Sequence, residues 1–211
     1  MNFKTLPEHE TKKPNTMKKW IIPAIVIAIL AFFAVNTYNS TIGLDENTNE
    51  AWAKVESSYQ RRNDLIGNLV KTVQGAADYE KGALEAVINA RSKATAINID
   101  PSNITPEQLQ QFNKAQSGLT SALSRLLVTV ERYPELKANQ NFLELQSQLE
   151  GTENRINVAR DRFNEAVKPY NNHIRTFPNN LIVGLFGFSE KAYFEAEEGS
   201  EKAPDVEFDF K

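Results

Sequence analysis

Hydrophobic positions recur every three or four residues along most of this chain, and the most regular stretch is residues 139–176. There Phe142, Leu145, Leu149, Thr152, Ile156, Ala159, Phe163, Ala166 and Tyr170 alternate three and four steps apart, which is the a/d seam of a coiled-coil-like helix. Glu144, Gln148, Glu150, Glu153, Arg155, Arg160, Asp161 and Lys168 lie between them, so one face needs a partner and the other needs water. A seam that narrow cannot bury itself, and two earlier stretches answer it in the same period. The first is Trp52, Val55, Tyr59, Ile66, Leu69, Val73, Ala76, Ala83, Val87, Ala90, Ala94 and Ile97, interrupted by Arg62 and Glu80. The second is Leu109, Phe112, Gln116, Leu119, Leu123, Leu126 and Val130. Matching seams predict an all-α fold, an elongated antiparallel bundle of three long helices followed by a short C-terminal helix and an extended tail.

Turn and cap residues set the boundaries. No proline interrupts Asp45 to Ile97, so one helix is predicted there, about 80 Å long at 1.5 Å per residue. Gly67, Gly75 and Gly82 are its weak points, each costing about 1 kcal/mol relative to alanine. Asp100-Pro101-Ser102-Asn103 breaks it, and Thr105-Pro106-Glu107 restarts the chain with an N-cap, proline at the first helical position and an early acid. Tyr133-Pro134 ends the second helix, and Asn139 or Asn141 caps the third, which meets Pro169 near its end. After a turn at Phe177-Pro178-Asn179-Asn180 comes the apolar run Leu181 to Phe188, then a predicted short helix from Glu190 to Glu198. The closing Val206, Phe208 and Phe210 follow a period of two, as an extended segment does.

The N-terminal region has a different pattern. Residues 1–19 are polar, with Pro7, Pro14 and the Lys18-Lys19 pair, and read as a disordered tail. Trp20 to Val35 then carries no polar or charged side chain, and no charge appears before Asp45. Crossing a hydrocarbon core of about 30 Å takes about 20 helical residues, and residues 20–38 nearly meet that length with Trp20 and Tyr38 at the two edges, where aromatic belts sit. The prediction is a transmembrane helix over residues 20–38 and a bundle domain over 39–211. Lysines before the span and acids after it place the tail in the cytoplasm and the body outside. The alternative is a cleaved signal peptide releasing a secreted or periplasmic binding module, although no clear A-x-A pattern follows the apolar run.

Composition narrows the chemistry. The 211 residues include no cysteine, which excludes disulfides, iron–sulfur clusters and thiol catalysis, and histidine occurs only at His9 and His173. Before Asp45 the chain carries five lysines and two glutamates, against nineteen basic and twenty-five acidic residues after that stretch. An acidic body of this kind is a poor nucleic-acid binder. There is no Glu-x-x-His for a di-metal bundle, and no Gly-x-Ser-x-Gly, Ser-x-x-Lys or phosphate-cradling glycine loop. Glu195, Glu197, Glu198 and Glu201 lack calcium-loop spacing and read as a solvated face. No enzyme activity and no cofactor is predicted.

Two groups of residues stand out. Glu80, Arg155, Arg160 and Arg62 are read as a structural polar layer inside the bundle, since an unpaired buried charge is costly. Equal rise along the first and third helices brings Asn139 level with Leu65, and extending that register pairs Glu80 with Arg155 or Arg160. Leu181, Ile182, Leu185, Phe186 and Phe188 either cap the end of the bundle, the preferred reading, or contact the bilayer or a partner as an exposed patch. Phe208 and Phe210 divide in the same way between docking on the bundle and adding to a partner.

Several long motifs resemble those of LemA family proteins. They are the run from Tyr133-Pro134-Glu135-Leu136 to Asn154-Arg155-Ile156, the stretch Arg61 to Val70, Tyr170-Asn171 to Phe177-Pro178, Phe186-Gly187-Phe188 and the closing Pro204-x-Val206-x-Phe208. The likeness covers nearly all of Tyr38 to Phe208, departing at Asn63 and Gly67, where the family pattern usually has Tyr and Pro. The resemblance implies a membrane-anchored, all-helical bacterial protein with no established enzymatic activity, from a family linked with envelope integrity and, in magnetotactic bacteria, with magnetosome membranes. The resulting expectation is a single-pass protein of the bacterial inner membrane acting as a non-catalytic scaffold or adaptor. Its partners would be the lipid bilayer through Trp20 to Tyr38, an unidentified envelope protein or further copies of itself, and no nucleic acid.

Overall fold

The computed structural model describes residues 16–75 and 81–195, with side chains from Trp20 onward. Helix α1, Thr16–Gln74, is one uninterrupted element of 59 residues that carries both the apolar span and the first bundle helix. At 1.5 Å per residue it is about 90 Å long. Helices α2 (Lys81–Thr95), α3 (Pro106–Val130), the single turn α4 (Pro134–Lys137) and α5 (Gln140–Arg175) follow. A short α6 (Asn179–Val183) and a 3-10 turn at Gly184–Phe186 close the helical part. The all-α class holds, and the described residues contain no strand.

The caps form where the local sequence calls for them. Thr105 Oγ1 accepts the Gln108 N–H while Gln108 Oε1 accepts the Thr105 N–H, a reciprocal capping box with Pro106 at the first helical position. Asn139 Oδ1 accepts from the Asn141 and Phe142 N–H groups at 3.0 and 3.2 Å and starts α5. Pro169 lies inside α5, which continues to Arg175.

One predicted boundary differs. Instead of a single helix from Asp45 to Ile97, α1 ends at Gln74 and the chain reverses, so that Arg91 Nε donates to the Asn63 carbonyl at 2.8 Å. In a straight helix those residues would stand about 42 Å apart. Reversal lets Leu84 and Val87 join Ile66, Leu69 and Val73 in the same buried cluster. A heptad pattern reads the same in a straight helix and in a helix folded on itself. The tertiary gain from burying one half against the other decides, and Gly75 and Gly82 flank the reversal where helix is least favoured.

The four principal helices therefore run out, back, out and back. Arg62 lies opposite Glu153, and Thr37 opposite His173, which fixes α1 and α5 as an antiparallel pair. The core has two main sections. Far from the span, Ile66, Leu69, Val87, Leu119, Leu126 and Phe142 pack together. Nearer the span, Trp52, Val55, Phe112, Ile156 and Phe163 do so, with the Trp52 ring 5.8 Å from Phe112, 5.4 Å from Phe163 and 5.9 Å from Phe194.

Phe194 arrives from a segment the sequence assigns to a short helix, Glu190 to Glu198. Residues 190–195 are not helical. They form an extended strap along α5: Asn171 bonds both backbone groups of Lys191, and Asn164 bonds both backbone groups of Phe194. Three strap residues thus match seven helical ones, or about 3.5 Å per strap residue, which is the reach of an extended chain. The two asparagines, two helical turns apart on one face, supply the hydrogen bonds that a helix would otherwise provide, and Ile104 O accepts the Ala192 N–H at 3.0 Å.

The reversal is measurable in this cysteine-free chain. With Asp64→Cys and Asn89→Cys carrying spin labels, adjacent helices predict backbones roughly 10 Å apart, whereas a straight helix places them about 38 Å apart. A pulsed-EPR distance distribution centred near the longer value would refute the fold described.

Candidate functional site

The densest polar cluster lies where α1, the loop before α3, α5 and the strap meet. Its centre is Lys191, whose side chain is 1% exposed. Lys191 Nζ contacts Asp45 Oδ1 at 2.7 Å, Thr48 Oγ1 at 2.6 Å, Asn49 Oδ1 at 2.9 Å and the Pro101 carbonyl at 2.8 Å. It also lies 5.2 Å from the centre of the Tyr170 ring. Burial lowers the lysine pKa from its ordinary value, and the hydrogen bond and charge of Asp45 oppose that shift. Tyr170, buried beside it and donating to the Ser189 carbonyl at 2.9 Å, is pushed up to about 12, first by burial and then by Asp45. A lysine with a lowered pKa is in principle a nucleophile. Here the ammonium protons face four oxygens and the side chain is closed to solvent, so the group acts as a tie between four chain segments.

A second polar layer crosses the bundle between its two core sections. Arg62 comes from the α1 seam and is 4% exposed. Its guanidinium donates to Gln116 Oε1, to Glu153 Oε2 at 3.1 Å and to Thr120 Oγ1 at 3.4 Å, and it covers the Tyr59 ring at 5.0 Å. Its Nε is buried without a partner. An open cleft of ≈ 660 Å³ adjoins it, lined by Tyr59, Gln110, Asn113, Ser117, Glu153 and Arg160 among others. A bidentate-capable cation held this way fixes the relative height of α1, α3 and α5, because sliding any helix by one heptad leaves a buried charge unpaired. Among the described residues, no three His, Cys, Asp or Glu side chains converge as metal ligands.

The structure separates the residues grouped by sequence as one polar layer. Arg62 stands in the core beside buried Gln116 and reaches Glu153, whose side chain is exposed. Arg155 is exposed. Arg160, on α5, holds the strap instead, donating to the Glu195 carbonyl at 3.2 Å and covering the Phe194 ring at 4.8 Å. Glu80 lies outside the described residues, as do Phe208 and Phe210. The Glu80 pairing also requires the first and third helices to run the same way, whereas α1 and α5 are antiparallel: with Arg62 opposite Glu153, Asn139 sits level with the end of α1 rather than with Leu65.

The run from Leu181 to Phe188 is mostly uncovered. Val183 is buried and Phe188 half-buried in a small cluster with Tyr170, Ile174 and Leu44, and Ile182 is half-buried. Leu181, Leu185 and Phe186 are exposed. Gly187, at φ 79°, turns the chain into the strap through a left-handed conformation that side-chain-bearing residues resist. The hairpin is fastened beside Tyr38: Phe186 and Phe188 lie 4.9 and 6.0 Å from that ring. His173 bridges the Thr37 carbonyl and Asn179, at 3.4 and 3.3 Å.

Lys191, Asn164 and Asn171 were invisible to seam analysis because each acts on a segment remote in sequence. Gln116 did leave a signal, as a polar residue at a seam position.

Residues 51–208 match the family model described as LemA family. Among curated proteins, the chain is similar to magnetosome protein MamQ 2 of Paramagnetospirillum magneticum, at 28% identity over 189 residues, covering 81% of this chain and 70% of that protein. It is also similar to magnetosome protein MamQ of Magnetospirillum gryphiswaldense, at 26% identity with 80% and 69% coverage. Protein LemA of Metamycoplasma hominis is 24% identical over 201 residues, with 93% and 88% coverage.

Two outcomes follow from the lysine cluster. Lys191→Met strands Asp45, whose side chain is 19% exposed, and should destabilise the fold by about 3 kcal/mol, at the low end for breaking a buried pair because water reaches the acid. Denaturant titration measures this, and adding Asp45→Asn should recover part of the loss. Tyr170 has a raised folded pKa, so its contribution is intact below pH 10 and is lost as pH rises toward about 12. The lysine shift has the opposite sign and is complete by pH 10.5, the ordinary lysine value. Above that pH, the wild type should lose stability more steeply than Tyr170→Phe, and parallel curves would contradict the assignment.

Proposed function

The chain belongs to the LemA family, and on that footing we propose that it acts as a membrane-anchored, non-catalytic scaffold or adaptor of the bacterial cell envelope. The observation that carries this reading is the continuity of α1. One helix holds both an apolar segment long enough to cross a bilayer and the bundle's core residues Trp52, Val55, Ile66 and Leu69. A rigid connection of this kind holds the bundle at a fixed attitude to the membrane, as suits a protein that works by presenting a surface. The Lys191 cluster supports the same role, since its ammonium donors are spent on four protein oxygens. Relatives named for the magnetosome are in keeping with a role at a bacterial membrane.

Lysines before the span and acids after it support an inner-membrane topology with the N-terminus in the cytoplasm and the bundle in the periplasm or outside the cell. Release by signal cleavage is disfavoured by packing. Phe33 and Ala34 are half-buried and Thr37 is buried, so a cut just after Val35 would remove the start of the covered stripe and leave Thr37 in a frayed first turn.

Protease added to spheroplasts should digest the bundle while the membrane stays sealed, and the N-terminal peptide should remain attached to the span. Full protection of the bundle would reverse the topology, and a mature N-terminus beyond Tyr38 would replace the anchored scaffold with a secreted module. Cross-linking in the native membrane should capture an envelope protein. Self-products alone would favour the homo-oligomer over the adaptor.

A further inference from the structure

Depth along α1 links the exposed hairpin to the bilayer. The covered stripe on α1 comprises Thr37, Thr41 and Thr48, which are buried, with half-buried Leu44 between them, and it begins at half-buried Phe33 and Ala34. Phe33 stands five residues inside Tyr38, or about 7 Å toward the bilayer centre. The folded domain and the span therefore overlap by more than a turn. At that level sits the hairpin, with Asn179 at Thr37 and Phe186 at Tyr38.

The hairpin's composition suits that depth. No Asp, Glu, Lys or Arg occurs from Thr176 to Ser189, and Arg175 and Glu190 close its neck in a 3.6 Å ion pair. Phe177, Leu181, Leu185 and Phe186 are 74%, 62%, 82% and 55% exposed, and none of these side chains contributes to the domain core. In water such a patch would be an unrelieved cost.

We propose that residues 176–189 form a second membrane contact, a foot resting in the headgroup–acyl boundary of the bilayer that α1 crosses, on the side where α1 leaves it. The proposal rests on the span reading of residues 20–38. Two constraints set the depth. The apolar side chains gain by leaving water, while α6 and the 3-10 turn are too short to satisfy their own backbone groups, which the hydrated boundary can solvate and the hydrocarbon core cannot. With α1 as one attachment and the foot as another, the bundle is held against swivelling about the helix axis. A second copy of the chain is the competing occupant. Continuity with the span favours lipid, because the patch lies beside the residue at which the apolar segment ends.

The full-length, cysteine-free chain allows a direct test. Leu185→Cys, Ile27→Cys and Ser124→Cys, all at exposed positions, are each labelled with an environment-sensitive fluorophore and reconstituted in phosphatidylcholine–phosphatidylglycerol vesicles. The Leu185 label should emit to the blue of the Ser124 label and be quenched by lipids carrying a nitroxide near the headgroup. It should also be several-fold less accessible to aqueous iodide than the Ser124 label. The Ile27 label should respond most to a nitroxide near the bilayer centre. A Leu185 label open to iodide and indifferent to nitroxide lipid, with Ile27 responding, overturns the foot and leaves the anchor standing. If Ile27 also fails to respond, the anchor reading falls and the foot with it. A Leu185 label shielded from both quenchers is covered by protein, which overturns lipid contact in favour of self-association.

Discussion

Helix α1 has to satisfy two solvents with one unbroken backbone, and the rest of the structure follows from that constraint. Its first part is apolar on every side, as a helix that crosses a bilayer has to be. Its second part is apolar along one seam, because only that face meets protein. Where the two regimes join, threonines 37, 41 and 48 line the covered face, and Thr41 returns its hydroxyl proton to the Thr37 carbonyl at 2.8 Å. Small hydroxyl-bearing residues allow close approach and satisfy themselves locally. The helix can thus pass from an all-apolar surface to protein contact without exposing a charge or breaking.

The other elements complete what α1 starts. Helix α5 lies antiparallel along it and carries the asparagines that hold the strap. The strap returns past Ile104 and brings Phe194 against Trp52 and Phe163, filling space that helix packing alone leaves open. Lys191, four residues after Gly187, joins the strap to α1 and to the loop before α3. Such a cluster gains little net energy from its charge pair, since desolvation offsets much of the attraction. Its geometry is nevertheless specific, because three of the four oxygens around Nζ come from α1 within one helical turn, Asp45 to Asn49, and the fourth from Pro101.

Arg62 does for the middle of the bundle what Lys191 does nearer the membrane. Apolar seams of similar composition can slide by a heptad at modest cost. A buried guanidinium with partners on α3 and α5 makes those slipped arrangements expensive, because its partners are left behind. Two cations thus set the register of α1, α3 and α5, whose hydrophobic faces are otherwise interchangeable.

The periodicities of the chain were enough to determine its class, its seams and its caps. Trp52, Val55, Tyr59, Ile66, Leu69 and Val73 are buried as their spacing requires, and Thr105 and Asn139 cap the helices they precede. These features are local: burial of a heptad face and satisfaction of terminal N–H groups depend on residues three and four apart. The reversal between α1 and α2 was beyond local reading, because the seam has the same period on both sides of it. So was the strap. Residues 190–195 look helical by composition, and only Asn164 and Asn171, twenty and more residues upstream, hold them extended. Lys191 gave no warning for the same reason, since its partners lie some 90 and 140 residues away along the chain. The exposed hairpin is the remaining case. Its sequence favours a core cap over a surface patch, and tertiary structure divides it, packing Val183 against Tyr170 and Ile174 while leaving Leu181, Leu185 and Phe186 exposed near Tyr38.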